Sequence, residues 1–285
     1  MKTSLTTPYR FVAIFDAHFG QEYKRSAQAW PRRYEKRTTH DPQALNIVRQ
    51  FMADFLPDVV LLGGDQLNCG PVSHWNKGLP RLTENFRLKD EMDACNELLL
   101  KPIDEYVKAA ARKRQAAKEP SPDITKHWMT GNHEVWIDMW LDENPGLEGL
   151  VEPRAYLNLD QRGWKFYEQG EIARIGKLHY IHGDVLRGRG SWQKLAHDYR
   201  RNLRAGHRHT WECGTDVTPI DRQDYHTVMY LPALANCAPA YEKNASVNHQ
   251  KGFSYGYYWP DGSFNDYVVI INRGTCTING KRYCA

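Results

Sequence analysis

The chain has 285 residues, 41% of them hydrophobic, 25% charged and 12% aromatic, the composition of a soluble globular protein with enough material for a sizeable core. Its formal charge of +4 is too small for the dominant basic footprint of a dedicated nucleic-acid binder, without ruling out a nucleic-acid substrate. The longest apolar runs, "VVLL" and "YVVII", are strand-sized and far short of the roughly 20 residues of a membrane span. The start, "MKTSLTTPYR", lacks the apolar stretch of a signal peptide, so the expectation is a cytoplasmic protein with no membrane partner.

In chain order, "RFVAIF" (10–15) reads as a buried strand running into Asp16-Ala17-His18. Residues 42–56 carry Leu45, Val48, Met52, Phe55 and Leu56 at helical spacing. A second strand, "DVVLL" (58–62), runs into Gly63-Gly64-Asp65, and 66–88 reads as an insertion. Residues 89–118 predict a long helix with a basic end, "ARKRQAAK", stopped by Pro120 and Pro122. "KHWMT" (126–130) leads into Gly131-Asn132-His133-Glu134, followed by a second insertion around 138–165. "KLHYI" (177–181) leads into His182-Gly183-Asp184. Residues 191–204 place Trp192, Leu195, Tyr199 and Leu203 on one helical face, while "NLRA" (202–205) also reads as a strand leading into Gly206-His207-Arg208-His209. From 226 on, turn signals at "PDGS" and "NG" between apolar runs predict hairpins, with "FSYGYYW" (253–259) as sheet core rather than a stacking platform. The reading is one α/β domain over 1–285.

The cysteines at 69, 95, 213, 237, 276 and 284 contain no CxxC pair, so free thiols are expected, with a Cys276–Cys284 staple of a terminal hairpin as the alternative. Five strand ends carry polar clusters, and in open α/β sheets ligands gather beyond the carboxyl ends of the strands. Together they supply Asp16, Asp65, Asn132, His18, His182, His207 and His209, an oxygen and nitrogen donor set that suits Mn, Fe, Zn or Ni. These seven are too many for one four-coordinate ion with an open position, whereas two ions sharing a carboxylate would use them all. Asp16 with His18, and His207 with His209, are two apart and are expected to project to one side of a strand end. Glycines at 63, 64, 131, 183 and 206 are expected to provide the sharp turns that let the donors converge.

The order D-x-H, G-D, G-N-H-E, H-G, G-H-x-H, spanning Asp16 to His209, resembles the calcineurin-like metallophosphoesterase superfamily. The resemblance implies two packed β-sheets flanked by helices, with the metal site at the strand C-terminal ends. It implies that Asp16, His18 and His209 hold one divalent ion, that Asn132, His182 and His207 hold a second, and that Asp65 bridges them. His133 would then be the non-ligand histidine that stabilises or protonates the leaving oxygen, as a metal-bound hydroxide attacks phosphorus in line. The family commonly has Asp where Glu134 stands, a change expected to matter only if that carboxylate orients His133 or a ligand.

"GDQLNCG" lacks the arginine that protein Ser/Thr phosphatases of the family place just after this motif. Arg187 and Arg189 could supply phosphate contacts instead, since guanidinium binds phosphate bidentately, and His74 could line the cleft. The substrate expected is a phosphodiester of the nucleotide or nucleic-acid type. A broad phosphomonoesterase and a catalytically inert scaffold of the same fold are the alternatives. Oligomeric state is not legible in the residues.

Overall fold

The computed structural model describes residues 8–25, 34–118, 124–183, 190–217, 225–236 and 248–285. In chain order the strands of the first half are β1 (Tyr9–Ile14), β2 (Gln21–Arg25), β3 (Tyr34–Thr38), β4 (Val59–Leu62), β5 (Thr125–Met129), β6 (Trp164–Tyr167) and β7 (Ala173–Ile175). There follow β8 (Leu178–Ile181), β9 (Leu203–Ala205), β10 (Glu212–Val217), β11 (Tyr225–Tyr230), β12 (Lys251–Tyr258), β13 (Phe264–Ile271), β14 (Thr275–Ile278) and β15 (Lys281–Cys284).

Among the described residues, one sheet has the order β13-β12-β1-β4-β5-β6, and a second has β10-β11-β9-β8-β7. In the first, β1, β4, β5 and β6 run parallel; in the second, β8, β9 and β11 do. Strand pleating sends alternate side chains to opposite faces. Phe11, Ala13, Val59 and Leu61 therefore join Ala173, Ile175, Leu178 and Tyr180 of the other sheet in one core. Val12, Ile14, Val60, Leu62 and Trp128 face the opposite way, into a core shared with the helical segments 42–55 and 88–116. A third cluster packs Leu195 and Ala196 of helix Ser191–Tyr199 against Leu203, Ala205, Val228 and Tyr230. The result is a mixed α/β molecule with apolar layers on both sides of its main sheet.

Helix Pro42–Phe55 starts where Asp41 caps the N–H groups of Gln43 and Ala44, and ends where Leu56 takes a left-handed φ of 53°. The segment expected as one long helix is helical over 88–116 but contains a π turn, Asn96–Leu100. Pro102 supplies the reason: it has no N–H, and its ring would crowd the carbonyl four residues earlier, so the ladder widens there. Pro120 and Pro122 lie outside the described residues. The helix expected over 191–204 stops at Tyr199, because Arg200 takes a left-handed φ of 48° and Leu203 belongs to β9. The hairpins of the last third form at "PDGS" and "NG" as expected. Cys276 and Cys284 are free and not paired with each other, as are Cys69, Cys95 and Cys213, while Cys237 lies outside the described residues. No described helix is long and apolar enough to cross a membrane.

Candidate metal centre

The carboxyl ends of β1, β4 and β5 in one sheet meet those of β8 and β9 in the other. The residues just beyond them are Asp16 and His18, Asp65, Asn132, His182, and His207 and His209. The paired donors do not converge by strand alternation, since β1 ends at Ile14 and β9 at Ala205. They converge because the chain bends sharply: Asp16 (φ 52°), His18 (48°), Asp65 (50°), His207 (68°) and His209 (53°) all adopt the left-handed region. Non-glycine residues enter that region rarely and at a cost of about 1–3 kcal/mol each in the strained cases, so five at one site mark a place where geometry outweighs backbone preference.

The neighbouring glycines serve mainly as space. A Cβ on Gly131 would lie 2.2 Å from Asp65 Oδ1, and one on Gly206 would lie 2.8 Å from Asp16 Oδ2. Gly63 would place its Cβ inside the Phe15 ring, 2.0 Å from a ring carbon. Of the five glycines, Gly64 and Gly183 are the two that need the positive φ expected of them, at 95° and 94°.

Asp16, His18 and His209 bring one donor atom each within 4.8 Å of one another, and so do Asp65, His182 and His207. His18 Nε2 lies 3.0 Å from His209 Nε2, and His209 Nε2 lies 3.5 Å from Asp16 Oδ1. Asn132 Oδ1 lies 3.0 Å from His182 Nε2 and 2.8 Å from His207 Nδ1. Asp65 Oδ2 stands between the groups, 3.8 Å from His18 Nε2 and 3.2 Å from His182 Nε2. Nitrogen lone pairs and carboxylate oxygens directed at common points repel unless a proton or cation lies among them. The donors and their chemistry fit divalent ions of the Mn, Fe, Zn or Ni kind.

Outer contacts fix the rings. His182 Nδ1 lies 3.1 Å from the Gly63 carbonyl oxygen and donates to it, which turns Nε2 inward. Such a bond is the usual device for orienting a ligand imidazole. Burial, then the charge His133 would carry, hold His18 well below the usual imidazole range. His182 is opposite: burial pushes it down, but the Asp65 and Asp16 carboxylates and the Gly63 carbonyl together push it up to about 10.

His133 is held differently. Its backbone N–H donates to Asp65 Oδ1 at 2.8 Å, and its Nδ1 donates to the Asn68 carbonyl at 2.7 Å. Nε2 is left facing the centre, 3.9 Å from Asp65 Oδ2. His133 also joins His18 and Asp65 in a third cluster of possible donors.

Glu134 has the role that would make its extra methylene matter. It is buried, and its carboxylate accepts N–H bonds from Asp65 (3.0 Å), Leu67 (2.9 Å) and Gly131 (2.9 Å). It therefore locks the turn carrying Asp65 to the turn carrying Asn132. Burial and the Asp65 charge push its pKa up to about 7, while the N–H groups of Leu67 and Gly131 pull it down.

Two residues escaped the sequence reading. His249, taken as ordinary, lies with its ring 4.7 Å from that of His209. Trp136 stacks on His133 at 3.9 Å, and the i, i+3 spacing on a helix was the available signal. His74 is exposed and reaches the centre only through Trp136, 5.6 Å away. Arg187, Arg189 and Asp184 lie outside the described residues.

No family model and no curated protein matches the chain. Solved structures similar to it include Vps29 of Chaetomium thermophilum, at 8% identity over 97% of this chain and 98% of that one, with a TM-score of 0.44. The NAD nucleotidase NadN of Haemophilus influenzae is similar at 10% identity over 98% of this chain and 54% of that one, with a TM-score of 0.31. At that degree of likeness, the chemistry open to the centre is decided by its own side chains.

Proposed function

We propose that the chain is a metal-dependent phosphoester hydrolase of the calcineurin-like kind with a two-ion centre, acting on a phosphodiester of the nucleotide or nucleic-acid type. The observation that carries this reading is Asp65 Oδ2, poised between His18 Nε2 at 3.8 Å and His182 Nε2 at 3.2 Å, with a donor group on either side. Asp16, His18 and His209 would hold one ion, Asn132, His182 and His207 the other, and Asp65 both. Divalent ions bound there would attract the phosphate and lower the pKa of a water towards about 7.

The chain's own residues do the rest. Glu134 keeps Asp65 and Asn132 in register by accepting N–H bonds from both turns. His133 is the one imidazole beside the donors whose Nδ1 is committed to a backbone carbonyl and whose Nε2 is not required as a ligand. Nε2 is therefore the atom at which a proton would pass to the leaving oxygen; with Nδ1–H committed to Asn68, that proton is carried by the doubly protonated ring, which burial disfavours and the Asp65 carboxylate favours. Positioned proton transfer of this kind contributes about 10²–10⁴-fold to a rate.

The test is hydrolysis of bis(p-nitrophenyl) phosphate against p-nitrophenyl phosphate, on metal-stripped protein and after adding Mn²⁺, for wild type and His133→Ala. The expected result is metal-dependent turnover favouring the diester and falling about 10²-fold or more in the variant. A preference for the monoester would move the substrate class and keep the chemistry. A protein that binds two ions and hydrolyses neither compound would end the enzymatic reading.

A further inference from the structure

A ladder of rings leads away from His133 to the surface. Trp136 stacks on His133 with centroids 3.9 Å apart and planes inclined by 33°. The His74 and Trp136 rings lie nearly perpendicular with centroids 5.6 Å apart, and Trp75 lies against His74 at 4.4 Å. At the outer end Trp75 is 67% exposed, the most exposed large hydrophobic side chain among the described residues. Local bonds hold the turn that carries Trp75. Its backbone N–H donates to Ser73 Oγ at 3.3 Å, Asn76 Nδ2 donates to the Gly70 carbonyl at 3.0 Å, and Lys77 pairs with Glu143 at 2.6 Å. Two of these bonds order the segment 70–77 itself, and the exposed Lys77–Glu143 pair links it to helix Asn132–Glu143, the same helix that begins with Asn132 and His133.

We propose that Trp75 and His74, backed by Trp136, form a stacking subsite for a flat ring carried by the phosphoester, such as a nucleobase. The proposal rests on the hydrolase reading above, because it takes His133 Nε2 to lie on the leaving-group side of the phosphate. A ring joined to the leaving oxygen would then find the ladder beside it. Aromatic faces accept any base by stacking, without hydrogen-bond readout, so the subsite selects for planarity rather than base identity. It also explains why a site lacking an arginine after the Asp65 motif could hold its substrate: part of the binding comes from the organic group.

The experiment is calorimetric titration of the Mn²⁺-loaded and metal-stripped protein with inorganic phosphate, ribose 5-phosphate, phenyl phosphate and adenosine 5′-monophosphate. It is run on wild type, Trp75→Ala and Trp75→Phe. The nucleotide is expected to bind loaded wild type about tenfold or more tighter than ribose 5-phosphate. Trp75→Ala should bring the two together without changing inorganic phosphate binding, and Trp75→Phe should keep most of the preference. Phenyl phosphate binding as tightly as the nucleotide would assign the subsite to flat rings in general; weaker binding would assign it to bases. Equal affinity for nucleotide and ribose 5-phosphate in wild type, with metal-dependent phosphate binding intact, overturns the subsite alone. Absence of metal-dependent phosphate binding in wild type overturns the hydrolase reading beneath it.

Discussion

Glu134 is the residue on which the geometry of the centre turns, although it is no donor itself. Its two oxygens hold the buried N–H groups of Asp65, Leu67 and Gly131. Leaving such groups unpaired costs about 1–3 kcal/mol each. Glu134→Ala should therefore lower the denaturation midpoint and weaken Mn²⁺ binding by about 10–100-fold, the usual effect of removing an outer partner of a metal site. Glu134→Asp, one methylene shorter, should spare some bonds and lose about tenfold in affinity. Calorimetric titration of both variants decides it: full affinity in Glu134→Ala would show that the clamp positions nothing. The same scale explains the five left-handed donors. Their strain is retained because only these bends aim Asp16, His18, Asp65, His207 and His209 at common points.

At the scale of elements, the helix that begins at Leu88 docks against the loop after Asp65 through a buried carboxyl. Glu91 Oε2 accepts the Cys69 N–H at 2.6 Å, and burial pushes its pKa well above the usual carboxylate range. The folded chain therefore keeps this proton to higher pH than the unfolded chain, whose carboxyl titrates near 4.3. Folding takes up a proton in the window above that value, so stability falls as pH rises through it. Glu91→Gln keeps an acceptor for Cys69 and removes the titration. Its melting temperature should match wild type near pH 4 and exceed it progressively towards pH 8. Parallel melting curves of the two proteins across that range would show that Glu91 ionises freely in the fold. The π turn at Asn96–Leu100 belongs to this scale too: Pro102 was visible in the sequence, but that the ladder widens rather than breaks was settled by Leu99, Leu100 and Ile103 packing into the core on either side.

At the scale of the molecule, the centre is split between two sheets, so its geometry depends on how they meet. Beyond the shared apolar core and the contacts of the centre itself, a buried ion pair crosses that junction. Arg204 of β9, 1% exposed, forks onto Asp266 of β13 through Nε–Oδ2 at 2.6 Å and Nη2–Oδ1 at 2.8 Å. Removing one member of a buried pair strands the other charge, and typically costs about 3–5 kcal/mol. Arg204→Met should lose about that much in urea denaturation, while Arg204→Met with Asp266→Leu should recover most of it. A double variant as unstable as the single one would mean that the pair itself, not the stranded charge, sets the stability of the junction.

The strands before each polar cluster were legible because short apolar runs that stop at polar or glycine residues carry their own boundaries, and β1, β4, β5, β8 and β9 lie where "RFVAIF", "DVVLL", "KHWMT", "KLHYI" and "NLRA" put them. The donor types were legible for the same reason: Asp, His and Asn at strand ends announce their chemistry without any fold. Helix 191–199 was over-extended because Leu203 satisfies a helical period and a strand equally well, and only the pairing of β9 with β8 and β11 decides between them. How the donors converge was also beyond the residues alone, since spacing by two suggests a pleat and the chain uses left-handed bends instead. So was the company of Trp136 and His74, and of His249 and His209, which are 62 and 40 residues apart. Sequence determines which groups stand at the ends of the strands, because that is local; which of them face one another is set by sheet order and by the junction between sheets, because contact between distant residues exists only once the chain is folded.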